Sequence, residues 1–182
     1  MAELASGPPM RSEQYTTKQL GDACEMLVAA ELTLAGIPAL KVPDNWPGYD
    51  VVAQPLGAPP QRISVKGRTY QRQSSHFADY YEGAEEFDWI AIVLLPNADL
   101  AERRIYIIPK SAFDAVARTW PDKKIGRTQR YVALVRIEPL FRAFRNNFGL
   151  KTEAELIAPS PGAVTGFLTG AAVEIEAHAD EE

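Results

Sequence analysis

One uninterrupted apolar segment, Trp89 to Leu95, does most to limit the folds open to this chain. Its seven residues have the length of a β-strand and fall far short of the roughly 18 that a membrane-spanning helix needs. A strand without polar alternation is typical of a sheet that is covered on both faces. The segment therefore predicts a central strand with a packed layer on each side of its sheet.

The residues around this strand predict an alternation of helices and strands. An amphipathic helix is expected from a cap at Thr16 or Thr17 to Gly36, because apolar residues recur there at spacings of three and four. A second helix is expected to be capped by Ser74 or Ser75 and to end at Tyr81. Further strands are expected over residues 39–42, 49–54, 62–66, 104–108 and 129–137, and further helices over 111–118 and 139–146. This order predicts an α/β fold, with one central mixed β-sheet flanked by α-helices.

Length and composition favour one domain with two tails. The chain has 182 residues, of which we expect 1–14 to be a flexible lead-in, 15–150 the folded domain and 151–182 an acidic segment rich in small residues. A single cysteine permits no internal disulfide, and with two histidines it cannot form a zinc site from Cys and His alone. The first residues show no secretion signal, so we expect a soluble, cytoplasmic protein without a membrane partner.

The net charge of −5 conceals an uneven distribution. Residues 151–182 hold one basic and seven acidic side chains, whereas residues 1–150 hold 18 basic and 17 acidic ones. Residues 118–145 contain eight basic side chains against two acidic ones. A basic surface of this kind can bind phosphate even on an acidic protein. The alternative is that these side chains are simply the solvated faces of strands and helices.

Three residues in the first half of the chain suggest hydrolytic chemistry. If the strands over 49–54 and 62–66 pair as a hairpin, Asp50 and Lys66 lie on one face of the sheet. Glu25 lies at the edge of the apolar stripe of the first helix and can lean towards the same place. Carboxylates bind Mg²⁺, which neutralises charge on a scissile phosphate, and the carbonyl of Val65 can complete the shell. A lysine beside them can orient the attacking water. Each residue taken alone is also compatible with a purely structural role.

Three short segments give the chain a resemblance to the PD-(D/E)XK nuclease superfamily. They are GDACE from Gly21, GYDVV from Gly48 and RISVKG from Arg62, and with the later strands the resemblance covers about residues 16 to 137. It implies a restriction-endonuclease-like fold, with Mg²⁺ or Mn²⁺ held by Asp50 and Glu25 and with Lys66 as a catalytic residue. DNA is then the expected substrate. The basic side chains expected to follow its phosphates are Arg68, Arg72, Lys123, Lys124 and Arg127.

The chain departs from the family pattern two residues before the lysine, where Ser64 replaces an acid. A hydroxyl is a much poorer Mg²⁺ ligand than a carboxylate, so three interpretations stay open. In the first, the protein is an active nuclease in which Asp44 or Glu25 compensates for the missing acid. In the second, it is a catalytically inactive member of the fold that binds DNA or a protein partner. In the third, it is an unrelated α/β protein. Many nucleases of this fold act as dimers, so a homodimer is a further expectation, although the sequence identifies no surface for it.

Overall fold

The computed structural model describes residues 16–70, 76–83, 86–97 and 100–158. The expected lead-in over 1–14, Arg72, the two serine caps and residues 159–182 lie outside them. The helices are α1 (Thr17–Leu34), α2 (Lys110–Val116), α3 (Ile137–Phe141) and α4 (Glu153–Ile157). The strands are β1 (Ala39–Lys41), β2 (Val51–Ala53), β3 (Gln61–Thr69), β4 (Phe77–Tyr81), β5 (Trp89–Leu95), β6 (Arg104–Pro109), β7 (Arg118–Asp122) and β8 (Arg127–Ala133).

A five-stranded sheet in the order β1-β2-β3-β5-β6 forms the centre of the fold. Only β3 and β5 run parallel, so the sheet is mixed. The apolar strand β5 lies inside it and is buried on both faces. Its residues alternate between two cores, one formed with α1 and the other with the aromatic side chains of α2 and α3. The expected fold class, a central mixed sheet flanked by helices, is confirmed.

Helix α1 begins where its sequence predicts. The side chain of Thr16 accepts a hydrogen bond from the N–H of Gln19 (3.2 Å), and the Gln19 side chain accepts one from the N–H of Thr16 (2.8 Å). This capping box satisfies two backbone donors that the first turn leaves unpaired. The buried residues Cys24, Val28 and Leu32 then hold α1 against the central sheet.

A second, three-stranded antiparallel sheet in the order β4-β8-β7 corrects two expectations. The helix expected to end at Tyr81 is wrong, because Phe77–Tyr81 is a strand in which Ala78 and Tyr80 are buried and their neighbours are not. That alternation has the period of a strand. The expectation of a single sheet is also wrong, because β8 pairs with β4 and β7 instead of joining the central sheet. Strand β7 was not expected, since Pro121 argues against a strand; β7 is an edge strand, where a proline is tolerated.

The chain after β8 also differs from expectation. In place of one helix over 139–146, a short α3 lies between two 3₁₀ turns, Leu134–Arg136 and Arg142–Phe144. The described structure continues beyond residue 150 through α4, and Leu156 packs against the aromatic core. None of the helices in the described ranges combines the length and the apolar composition needed to cross a membrane.

The aromatic core should make the protein sensitive to alkaline pH. The Tyr106 side chain is fully buried and its hydroxyl donates a hydrogen bond to Glu138. Burial, together with this carboxylate, raises the pKa of Tyr106 to about 12. The unfolded chain loses the phenolic proton near pH 10, about two pH units earlier, so stability present below pH 10 falls as the pH rises to 12. We expect Tyr106 to account for a loss of about 2 kcal/mol in the free energy of unfolding over this range.

Urea unfolding measured at intervals between pH 8 and pH 12 checks this expectation. The Tyr106→Phe variant should lose less stability over the range than the wild type. It should still lose some, because burial and Asp114 also raise the pKa of Tyr80 to about 12. Equal losses in the two proteins would contradict the assignment to Tyr106.

Candidate active site

Asp50 lies just before β2, at the place where β2 meets β3. Its N–H donates to the carbonyl of Ile63 (3.0 Å), and its carboxylate Oδ2 accepts from the N–H of Val65 (2.6 Å) and from Ser64 Oγ (3.3 Å). Within the described part of the chain, Oδ1 has no hydrogen-bond partner. The turn before Asp50 requires glycine: Gly48 has a φ of +89°, and a Cβ there would lie 2.7 Å from the backbone nitrogen of Glu86.

The predicted hairpin brings Lys66 to this end of β3. The register Val51↔Ile63 confirms that β2 and β3 pair as antiparallel neighbours. Side chains alternate along a strand, so Lys66 shares a face of β3 with Ser64, the residue that contacts Asp50. Lys66 is half-buried and makes no hydrogen bond or ion pair with any described residue. Its ammonium group is therefore available to an external partner.

The backbone of Val65 contributes to the same place. In an antiparallel ladder the N–H and C=O of one residue point to the same side of the strand. The Val65 N–H points to Asp50, and the registered pairing of β2 with β3 begins only at Ile63, two residues before Val65. The Val65 carbonyl therefore points to the Asp50 side of β3. It and the carboxylate present oxygen atoms, which are the ligands that Mg²⁺ prefers.

Glu25 makes a different set of contacts. Its Oε2 lies 2.9 Å from the Nζ of Lys41, which also lies 2.9 Å from Asp44 and 3.4 Å from Asp22. Lys18 forms ion pairs with the same two aspartates, at 2.5 Å with Asp22 and 2.8 Å with Asp44. We call these three acids and two lysines the Lys41 cluster. Hydrogen bonds from Lys18 and Lys41 lower the pKa of Asp44 to about 2, and the bond to Glu25 raises the pKa of Lys41.

The Lys41 cluster was not expected from the sequence. Part of the cluster could be predicted, because Asp22 and Glu25 are three residues apart and therefore share a helix face. The contact with Lys41 could not be predicted, because it depends on how β1 packs against α1. The ligand oxygens of Asp22, Glu25 and Asp44 lie within 4.8 Å of one another, and theirs is the one group of this kind among the described residues. Asp50 does not belong to it.

The expected phosphate-binding residues lie in two places. The Arg68 guanidinium is already engaged, with Asp79 at 3.0 Å and with the carbonyl of Phe77 at 3.1 Å. Lys123, Lys124 and Arg127 are exposed at or beside the turn between β7 and β8. The structure thus brings Asp50 into contact with Ser64 and Val65, next to Lys66 in the sequence of β3, whereas the exposed basic side chains lie at the turn of the other sheet.

Comparison with known proteins gives a distant structural similarity. No protein-family model matches this chain, and no curated protein matches it. Among solved structures it is similar to that of a bacterial homing endonuclease, I-Ssp6803I, with a TM-score of 0.45 and 14% sequence identity over 65% of this chain and 79% of that chain. Membership of the PD-(D/E)XK superfamily stays a prediction, as do the metal, the homodimer and the roles of the individual residues. The interpretation of function therefore depends on the side chains of this protein.

Proposed function

We propose that this protein hydrolyses phosphodiester bonds in DNA with the help of Mg²⁺ or Mn²⁺. One observation supports the proposal above all others: Asp50 contacts Ser64 and Val65 of β3, and Lys66 follows them on the same face of the strand as Ser64. Asp50 is fixed through one carboxylate oxygen and keeps the other open, while Lys66 has no partner among the described residues. A fixed carboxylate beside an uncommitted ammonium group suits hydrolysis of a phosphate ester better than it suits a purely structural role.

Each residue has a definite task in this reaction. Asp50 and the Val65 carbonyl would hold the divalent ion, which would supply positive charge to the scissile phosphate and the departing oxygen. Lys66 orients a water molecule, whose oxygen bonds to phosphorus as the bond from phosphorus to the departing sugar oxygen breaks. The water loses a proton and the departing oxygen gains one. For Glu25 to join the metal ligands, its carboxylate must exchange its contact with Lys41 for the ion.

The basic side chains hold the substrate. Arg68, Arg72, Lys123, Lys124 and Arg127 contact backbone phosphates, so DNA binding weakens as the salt concentration rises. Lys123 and Lys124 make no side-chain ion pair with the described residues, which leaves their charge for phosphate.

Replacing Lys66 with alanine should lower the rate of DNA cleavage about a hundredfold, because the water loses its orienting group. The assay uses supercoiled plasmid and single-stranded DNA with Mg²⁺ or Mn²⁺. Lys151→Ala is the control: it removes an equal charge at an exposed position outside the expected surfaces, and it should cleave like the wild type. Circular dichroism should show that both variants are folded. An unchanged rate in Lys66→Ala would exclude the proposed role of this lysine.

A second candidate function is an inactive DNA-binding module of the same fold. Two observations favour it: Ser64 uses its hydroxyl to fix Asp50, and the Glu25 carboxylate is paired with Lys41. An inactive module predicts that the wild type cleaves no DNA with either metal. It also predicts that DNA binding is insensitive to Mg²⁺ and to Lys66→Ala.

A further inference from the structure

The hairpin formed by β7 and β8 extends beyond the rest of its sheet. Strand β4 pairs with β8 only as far as Tyr81↔Gln129. Beyond that pair, apart from one further backbone bond from Glu82 to Thr128, the ribbon has two strands, joined by the turn over residues 123–126. We call residues 118–128 the ribbon; its residues up to Trp120 lie beside the part of β8 that also pairs with β4, and the pairs Pro121↔Thr128 and Asp122↔Arg127 form its two-stranded end. All of the residues 118–121 on its edge strand are exposed.

The turn of the ribbon is fixed by Asp122. One carboxylate oxygen accepts hydrogen bonds from the N–H groups of Lys124 (2.9 Å) and Ile125 (3.2 Å), and the other accepts one from the hydroxyl of Tyr81 (3.1 Å). Gly126 supplies the positive φ, +70°, that closes the turn. A fixed turn presents its side chains at low entropic cost to a partner.

The ribbon combines exposed apolar and exposed basic side chains. Trp120 is 62% exposed and Ile125 is 53% exposed, so both keep large apolar surfaces in water. The basic side chains around them, for which no ion pair with a described acid exists, are Arg118, Lys123, Lys124 and Arg127. Near the first strand of the ribbon, Arg118 and Arg136 line a shallow cavity of about 90 Å³. Positive charge around an apolar centre is complementary to nucleic acid, which presents phosphates outside and bases inside its grooves.

We propose that the ribbon enters the major groove of duplex DNA, with Trp120 and Ile125 against the bases and the surrounding cations on the phosphates. The inference rests on the proposed function and adds the element that recognises the substrate. Neighbouring strands lie about 4.8 Å apart, so the two-stranded end of the ribbon fits a groove about 12 Å wide, and Trp120 lies in the row next to that end. Phosphate contacts position the protein on any sequence, whereas contacts to base edges and thymine methyl groups distinguish sequences. Trp120 and Ile125 are therefore assigned to specificity and the basic side chains to affinity.

Binding measured by fluorescence anisotropy, with Ca²⁺ replacing Mg²⁺, tests the ribbon. The full-length protein is titrated with duplex DNA and with the single strand of the same sequence, each at several salt concentrations. Trp120→Ala and Ile125→Ala should each weaken duplex binding about tenfold. Neither should change the salt dependence, since an apolar contact releases no counterion. Lys124→Ala should weaken binding and reduce the slope of log K against log salt by about 1. Leu56→Ala, which trims an aliphatic side chain exposed in another loop, should bind like the wild type.

The outcomes separate the two proposals. A wild type that binds no DNA overturns both. If the wild type binds DNA and both Trp120→Ala and Ile125→Ala bind it equally well, the proposed role of the ribbon is wrong. The proposed function is then unaffected. Equal losses on duplex and single strand exclude entry into the groove. Losses confined to the duplex support the ribbon even if no DNA is cleaved, in which case it is the hydrolytic proposal that fails.

Discussion

Replacing Asp50 with asparagine is expected to lower the rate of DNA cleavage about a thousandfold and to leave the fold intact. The reason is that the two carboxylate oxygens of Asp50 have different roles: Oδ2 accepts hydrogen bonds from β3, and Oδ1 is open among the described residues. The amide oxygen of asparagine can still accept the hydrogen bond from the Val65 N–H, so the junction of β2 and β3 keeps its geometry. The negative charge that we propose to hold the divalent ion is lost. Initial rates on plasmid with Mg²⁺, alongside urea unfolding, measure both effects.

Asp50→Ala is a poorer test of chemistry. It removes the partner of the Val65 N–H as well as the charge, and we expect it to lower the free energy of unfolding by about 2 kcal/mol. Its loss of activity would therefore mix a structural effect with a catalytic one. If Asp50→Asn cleaves at the wild-type rate, the carboxylate is structural and the proposed reaction is wrong.

The parts of the fold that could be predicted depend on local patterns. The capping residues of α1, the apolar strand β5 and the alternation of β3 are each visible within a few residues of sequence. The second sheet could not be predicted in this way, because Phe77–Tyr81 follows a polar stretch and β7 contains Pro121. Strand β4 is held by its pairing with β8, 40 or more residues away in the sequence. Strand β7 tolerates its proline because it lies at the edge of the sheet. Such contacts leave no local periodicity.

The same distinction applies to the site. The relation of Asp50 to Lys66 follows from a single hairpin, and a hairpin can be predicted from two alternating strands and the turn between them. Ser64, which replaces the acid of the family pattern, donates a hydrogen bond that positions Asp50. This contact depends on the register of β2 and β3. The pairing of Glu25 with Lys41 joins helix α1 to strand β1, 16 residues further along the chain. Charge alone could not identify which of 19 basic side chains would reach it.

The close approach of α1 to β3 leads to the second large effect. A Cβ added at Gly67 would lie 2.6 Å from the Sγ of Cys24 and 3.3 Å from its Cβ, inside a buried layer. We expect Gly67→Ala to lower the free energy of unfolding by about 3 kcal/mol, because either β3 or α1 must move. Gly149→Ala is the control: a Cβ there meets only the Lys151 side chain at an ordinary 3.5 Å.

A double variant identifies the clash. Cys24→Ala removes the sulfur that a Cβ at position 67 would strike, so Gly67→Ala should cost less in that background than in the wild type. Urea unfolding of the four proteins gives this coupling, and its absence would show that the stability lost in Gly67→Ala does not come from the contact with Cys24. The contact also concerns function, because Cys24 precedes Glu25 and Gly67 follows Lys66. A displacement of β3 at Gly67 also displaces Lys66, its neighbour in the strand, so the variant that strains this contact should lose cleavage under conditions in which it is still folded.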